Sequence, residues 1–171
     1  AEAALAAQED LAAGAVVNIL DQKLANPNPD FFSYSCGKIA LGGATGHAGL
    51  FGTIDGVLDF AQGLLDGSGA SARTLSAIRE RHGDERTIGW EARFRGWQGG
   101  EACSDATIGH TGFTGTGLWI DVERGLAWTL LTNRVHPTRH RDSGIFALRP
   151  AVGEAVIAAF DRAQSAKPVA R

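Results

Sequence analysis

The sequence predicts one domain of mixed α/β structure, of the α+β kind, in which helices pack against an antiparallel sheet. Two observations predict this fold class. Apolar residues recur at helical spacing up to about residue 82 and again after Pro150. Between these parts the chain consists of β-type runs separated by glycine-containing turns. A chain of 171 residues is long enough for one core, so residues 1–171 are treated as a single domain.

The N-terminal part is predicted to hold a helix and then a loop. Residues 2–13 are rich in alanine, the best helix former, and Gly14 can end that helix. Asparagine and proline at 26–30 break regular structure, so 24–36 is expected to be an irregular loop.

The helical pattern is strongest at 54–66, where the apolar residues share one face. Thr53 or Asp55 lies near the N-cap of this helix, and Gly67 follows its last turn. The residues of the apolar face are Val57, Phe60, Ala61, Leu64 and Leu65. A shorter helix is predicted over 71–82, just before a further glycine.

The sheet is predicted from the change of period that follows. Residues 87–94 form a strand, and glycines at 96–100 form a turn. Residues 113–121 and 126–132 form a hairpin whose turn ends in Gly125, where a positive φ is expected. The second of these runs is apolar on nearly both faces, which predicts a central strand covered on both sides.

The chain is predicted to end in a helix that covers one face of the sheet. Pro150 suits the first helical position, because its missing N–H has no partner there in any helix. The apolar face of this helix consists of Val152, Ala155, Val156, Ala159 and Phe160.

Composition excludes several classes of function. Sixteen basic and nineteen acidic residues, without a long run of one sign, give no footprint for nucleic acid. No apolar stretch is long enough to predict a membrane span or a signal peptide, and the compartment stays open. Cys36 and Cys103 match no metal-ligand spacing, although a single bridge between them stays open. The chain begins with Ala1 and contains no methionine, which is consistent with a processed or truncated piece.

The densest group of candidate functional residues lies at 108–115, where glycines and threonines surround His110. Backbone N–H groups exposed by the glycines could contact a ligand there, with hydroxyls and an imidazole reaching it from the side. Alternatively, such a glycine-rich strand is only a structural bulge or edge.

Three stretches of the sequence carry a resemblance to a known family. They are ALGGATGHAGLFGT at 40–53 with Phe60-Ala61-Gln62 beyond it, Ile88-Gly89-Trp90, and GHTGFTG at 109–115 with LWID at 118–121 and LLTNRVHP at 130–137. They resemble the Gly-His-Ala-Gly-Leu-Phe-Ser-Thr segment, the Gly-Leu-Gly-Trp strand and the Lys/His-Thr-Gly strand of the serine β-lactamase and penicillin-binding protein superfamily. The resemblance is to its class C-like branch of β-lactamases, D-amino-acid peptidases and esterases, and it covers about residues 40–160.

The resemblance implies roles for residues of the third stretch. His110 would supply a positive or hydrogen-bonding group at the active site, and Thr111 would contact a carboxylate or carbonyl of the substrate. The backbone N–H of Phe113 would be one donor of the oxyanion hole. Gly112 and Thr114 would border the substrate.

The nucleophile is less well defined. The family uses the serine of a Ser-x-x-Lys motif at a helix start, and a Tyr-x-Asn-type motif assists proton transfer. Here Ser35 and Lys38 form the only Ser-x-x-Lys, while Tyr34 begins an overlapping motif with Cys36 in the asparagine position. These interpretations compete for the same residues, and a third alternative is that neither applies. His47 would shape the pocket or, alternatively, bond only to backbone.

By resemblance, the parent protein is a serine hydrolase that cleaves a small-molecule amide or ester through an acyl-enzyme, without a metal or other cofactor. The family's N-terminal strands and its serine motif would then be missing from this chain. The alternative is a non-catalytic module, which binds a ligand or needs a partner chain and lacks the nucleophile.

The missing strands predict self-association of the isolated chain, or binding of a complementary N-terminal segment. An uncovered sheet edge and apolar face invite pairing with another chain, unless residues 2–20 fold back over the sheet. Sedimentation at micromolar concentration measures this directly. A compact monomer without a partner would contradict the prediction.

Overall fold

The computed structural model of the chain describes residues 17–18 and 50–166. The helix expected at 2–13 and the loop expected at 24–36 lie outside the described residues. The chain divides into two compact units, residues 1–57 and residues 58–171.

The first unit contains one small antiparallel pair. Strand β1 (Val17–Asn18) pairs with strand β2 (Leu50–Phe51), so that Val17 lies opposite Phe51.

The two helices that follow confirm the periodicity of the sequence. Helix α1 spans Ile54–Asp66, and the Thr53 hydroxyl accepts a hydrogen bond of 3.1 Å from the Gly56 N–H near its start. Helix α2 spans Ala72–Arg79, and the side chain of its N-cap, Ser71, accepts a hydrogen bond in the same way. Helix α2 is shorter than predicted because the chain leaves the helix at the residue after Arg79.

The second unit contains a five-stranded antiparallel sheet, which confirms the predicted fold class. Its strands follow chain order across the sheet. They are β3 (Arg86–Thr87), β4 (Trp90–Ala92), β5 (Ile108–Thr111), β6 (Gly117–Asp121) and β7 (Leu126–Leu130).

The boundaries of two predicted strands were wrong. The run 87–94 is a tight hairpin rather than one strand, because Gly89 has a φ of 80° and reverses the chain between β3 and β4. The predicted strand 113–121 begins only at Gly117, since 112–116 is the turn that joins β5 to β6. In the other hairpin, Gly125 has the positive φ that the sequence predicted, 62°.

The interpretation of the last run as a central strand was also wrong within the described residues, since β7 is the final strand of the sheet. Its apolar residues on both faces are explained by helices on both sides of the sheet. Helix α3 (Ile145–Ser165) covers one face, where the buried residues are Trp97, Cys103, Trp119, Trp128 and Ile157. Helices α1 and α2 cover the other face, where the buried residues are Ala61, Leu64, Ile108 and Ile120.

Helix α3 starts one and a half turns earlier than the position of Pro150 predicts. Gly144 stands at its N-cap with a φ of 68°, and its carbonyl accepts hydrogen bonds from the N–H groups of Ala147 and Leu148. Pro150 therefore lies inside the helix, where the loss of one backbone hydrogen bond is offset by the packing of the helix on the sheet. Among the described residues, no helix is long and apolar enough to cross a membrane.

A buried carboxylate fixes the end of β6. Asp121 is fully buried and accepts hydrogen bonds from the amide and the hydroxyl of Ser104, at 2.9 and 2.7 Å. The Arg124 guanidinium donates a further bond at 2.9 Å. Burial opposes ionisation of Asp121, but these hydrogen bonds outweigh it and hold the pKa of the carboxyl below its usual value.

We expect Asp121→Asn to lower the free energy of unfolding by about 2 kcal/mol, because the amide cannot accept these three hydrogen bonds and a fourth from the Arg124 N–H. The contribution of Asp121 is fully present above the pKa of the unfolded chain, about 3.9, and is lost as the pH falls through the lower folded value. Urea unfolding at several acid pH values should therefore show a shallower pH dependence in the variant. Asp161→Asn is the control: it removes an exposed carboxylate from the same arginine, and equal losses in the two variants would contradict this account.

Candidate functional site

The candidate site lies at the end of β5 and in the turn that follows it. His110 and Thr111 are the last two residues of the strand. The pairing of β5 with β4 covers only Ile108 and Gly109, so His110 and Thr111 lie beyond the paired positions. Pairing with β6 continues along the whole of β5. At His110 and Thr111, the edge of β5 that faces β6 is therefore hydrogen-bonded, whereas the edge that faces β4 is not paired with β4.

The turn at 112–116 places Phe113 beyond the strand. The Gly112 N–H donates to the Thr116 carbonyl at 2.8 Å, and the Gly115 N–H donates to the Gly112 carbonyl at 3.1 Å. Phe113 and Thr114 are exposed at the tip. His110, Thr111 and Phe113 are thus close in sequence and structure, but they share a strand end and a turn rather than one strand.

The imidazole of His110 is exposed and has two polar neighbours. Its Nδ1 lies 2.9 Å from the Thr111 carbonyl, and its Nε2 lies 3.5 Å from a guanidinium nitrogen of Arg86. A carbonyl only accepts and a guanidinium only donates. The neutral tautomer with its proton on Nδ1 satisfies both contacts and leaves Nε2 as the acceptor.

Arg86 is a site residue that the sequence did not indicate. It belongs to no motif and lies on β3, two strands away from His110. The pairing of β3 with β4 brings it there, and Glu91 on β4 holds it at 3.6 Å. Only the register of three neighbouring strands relates Arg86 to His110, so no local signal could have revealed it.

Two side chains that follow β7 anchor the tip of the turn. The Nε of Arg134 donates to the Phe113 carbonyl at 2.6 Å, and its guanidinium lies 4.5 Å from the centre of the Phe113 ring. The Thr132 hydroxyl donates to the Gly115 carbonyl at 2.6 Å. Arg134 therefore holds this turn.

Arg149 anchors the two ends of the turn from helix α3. One guanidinium nitrogen, Nη2, lies 2.7 Å from the carbonyls of both Gly112 and Thr116. The residue is only 3% exposed. Burial, followed by the nearby charge of Arg134, lowers the pKa of this guanidinium. A buried arginine on the last helix carries no sequence signal that would connect it to the motif.

The remaining predicted site residues lie outside the described residues: Tyr34, Ser35, Lys38 and His47. The structure therefore relates none of them to His110. Within the described ranges, no group of three histidine, cysteine or acidic side chains is arranged to hold a metal ion.

Comparison with known proteins identifies the family. A family model described as Beta-lactamase matches residues 2–152. The chain therefore belongs to the beta-lactamase family, as the sequence motifs predicted.

Individual relatives agree with this assignment. A protein of Escherichia coli O157:H7 named "Putative D-alanyl-D-alanine carboxypeptidase" is 32% identical over 108 residues, which is 57% of this chain and 25% of that protein. An N-acetylmuramyl-L-alanine amidase of Bacillus subtilis is 32% identical over 110 residues, which is 57% of this chain and 24% of the amidase. The chain thus spans about a quarter of the length of these relatives.

A solved structure is similar in fold as well as in sequence. It is a beta-lactamase from Mycobacterium bovis, with a TM-score of 0.55 and 29% sequence identity. The similarity covers 66% of this chain and 46% of that protein.

We expect Arg134→Gln to loosen the tip of the turn, because it removes the cation–π contact and weakens the bond to the Phe113 carbonyl. The free energy of unfolding should fall by about 1 kcal/mol, as measured by urea unfolding. Arg95→Gln is the matched control at an exposed arginine and should change stability by less than about 0.5 kcal/mol. Equal stability of the Arg134 variant and the native chain would show that Arg134 does not anchor the turn.

Proposed function

We propose that the protein containing this chain is a serine hydrolase that cleaves an amide or ester of a small molecule through an acyl-enzyme. Membership of the beta-lactamase family supports this reaction class. The named relatives include a carboxypeptidase and an amidase of alanine-containing substrates, which favours an amide next to an alanine residue.

The observation that carries the proposal is the anchored turn directly after His110 and Thr111. Three of its carbonyls accept hydrogen bonds from the side chains of Arg134, Thr132 and Arg149. These bonds hold its backbone in the conformation that the structure shows. Catalysis of acyl transfer depends on donors that are already oriented when the oxyanion forms. A turn held in this way suits that requirement better than a mobile loop does.

In the proposed reaction, a serine hydroxyl attacks the carbonyl carbon of the substrate and transfers its proton to a base. The carbonyl oxygen becomes an oxyanion that accepts a hydrogen bond from the Phe113 N–H. The C–N or C–O bond then breaks, and the leaving group departs with a proton. Water hydrolyses the acyl-enzyme by the same steps. Ser35 is one candidate for the nucleophile, with Lys38 as the base; in the competing alternative, Tyr34 assists proton transfer and the nucleophile is another serine.

His110 and Thr111 are proposed to bind the substrate beside the reacting carbonyl. The Nε2 of His110 can accept a hydrogen bond from a substrate N–H when that group replaces the 3.5 Å contact with Arg86. The Thr111 hydroxyl is proposed to donate to a carboxylate or carbonyl, with Gly112 and Thr114 along the same edge. His47 is proposed to lie at the pocket wall.

We expect His110→Ala to lower kcat/KM about a hundredfold, because the variant lacks the imidazole that hydrogen-bonds to the substrate next to the reacting carbonyl. The assay uses the native protein at the length in which it occurs in cells, with a p-nitrophenyl ester and a D-alanyl-D-alanine peptide as substrates. His140→Ala replaces an exposed histidine outside the site and should keep full activity.

Two results would contradict the proposed function. Unchanged kcat/KM in His110→Ala would remove this histidine from the site. A native protein that hydrolyses neither substrate and forms no covalent adduct with a penicillin or a fluorophosphonate would favour the non-catalytic binding module.

A further inference from the structure

The contact between Arg149 and the Gly112 carbonyl also affects the direction of the Phe113 N–H. In a trans peptide the C=O and the following N–H point in opposite directions. Whatever holds the carbonyl of Gly112 therefore sets the direction of the Phe113 N–H, which belongs to the same peptide group. Arg149 holds that carbonyl at 2.7 Å.

A single nitrogen of Arg149 donates hydrogen bonds to both ends of the turn. Its Nη2 carries two hydrogens, one for the Gly112 carbonyl and one for the Thr116 carbonyl, which lies at the other end of the turn. The side chain is enclosed between the turn and helix α3, at 3% exposure, so it has little freedom to move. The peptide plane between Gly112 and Phe113 is accordingly held from the helix by the shorter bond, at 2.7 Å, and within the turn by the Gly115 N–H at 3.1 Å.

Among the described residues, the charge of Glu91 acts on Arg149 but from beyond ion-pair distance. Within the part of the chain that the structure describes, no carboxylate forms an ion pair with it, and its Nε has no hydrogen-bond partner. A buried guanidinium without a carboxylate is costly, and a neutral side chain of similar size would cost less. The cation lies directly behind a peptide carbonyl, where it polarises the peptide and strengthens the N–H on the opposite side as a donor.

The other anchors of the turn act on different peptides. Arg134 holds the Phe113 carbonyl, which orients the N–H of Thr114. Thr132 holds the Gly115 carbonyl, which orients the N–H of Thr116. Of these three anchors, only Arg149 bonds to the peptide that carries the Phe113 N–H.

We propose that Arg149 is a positioning residue of the active site, which orients and polarises the Phe113 N–H toward the oxyanion through the carbonyl of Gly112. This inference rests on the proposed function in one respect, the role of the Phe113 N–H as an oxyanion donor. The orientation itself is independent of any activity.

The orientation is tested on the full 171-residue chain by ¹⁵N relaxation of backbone amides. We expect an order parameter of about 0.85 at Phe113 in the native chain and below about 0.6 in Arg149→Met. Arg149→Lys keeps a charge and a donor and should give an intermediate value. Thr132→Val should change the amides of Gly115 and Thr116 and leave Phe113 as it is. Unchanged amides at Trp128 and Ile157 show that each variant is folded.

The catalytic role is tested on the native protein with the same substrates as above. Arg149→Met should lower kcat about ten- to a hundredfold and change KM less than about threefold, since the lost interaction acts mainly in the transition state. Arg149→Lys should recover part of kcat. Arg162→Gln, an exposed arginine on the same helix, should match the native protein.

Different results overturn the two proposals. An order parameter at Phe113 that is the same in the native chain, Arg149→Met and Arg149→Lys would disprove the orienting role of Arg149. A rise in KM without a fall in kcat would assign Arg149 to substrate binding and disprove positioning. A native protein without hydrolytic activity would refute the proposed function, while the relaxation data would still decide whether Arg149 orients the peptide.

Discussion

The packing of Trp119 is the constraint on which the rest of the sheet depends. Its indole is fully buried, stacks on Trp128 with ring centres 6.0 Å apart, and lies beneath α3. A side chain at Gly109 or Gly117 would run into this ring, so β5 and the start of β6 must have glycine there. The glycine that precedes His110 therefore makes room for the core, whereas the sequence alone left ligand contact and a structural bulge or edge as alternatives.

The position of the candidate site follows from this packing. Alternation along β5 turns Gly109 toward Trp119 and His110 away from it, and the Arg86 guanidinium lies 3.5 Å from the His110 imidazole. The strand then gives way to the turn at 112–116, which rests on Arg149 of the same helix that covers Trp119. Helix α3 thus packs on the core of the sheet and also holds the backbone of the candidate site. A shift of this helix would displace both.

Polar anchors hold both ends of β6, but by different means. At the end away from the site, the Asp121 carboxylate collects donors from Ser104 and Arg124, so its buried charge is balanced. At the site end, Arg149 donates to carbonyls, and no described carboxylate forms an ion pair with it. The first arrangement stabilises the fold. The second places a positive charge beside the turn.

The sequence by itself determined the α+β class, the bounds of α1, the positive φ of Gly125 and the family, because these depend on local periodicity, turn chemistry and motifs. It could not determine that 87–94 folds back at Gly89, that β7 lies last among the described strands, or that Pro150 lies inside a helix. The same limit applied to the candidate site: the motif predicts His110 and Thr111, whereas no motif indicates Arg86 or Arg149. Contacts between residues 24 and 37 positions apart depend on strand register and helix packing, which only the tertiary structure decides.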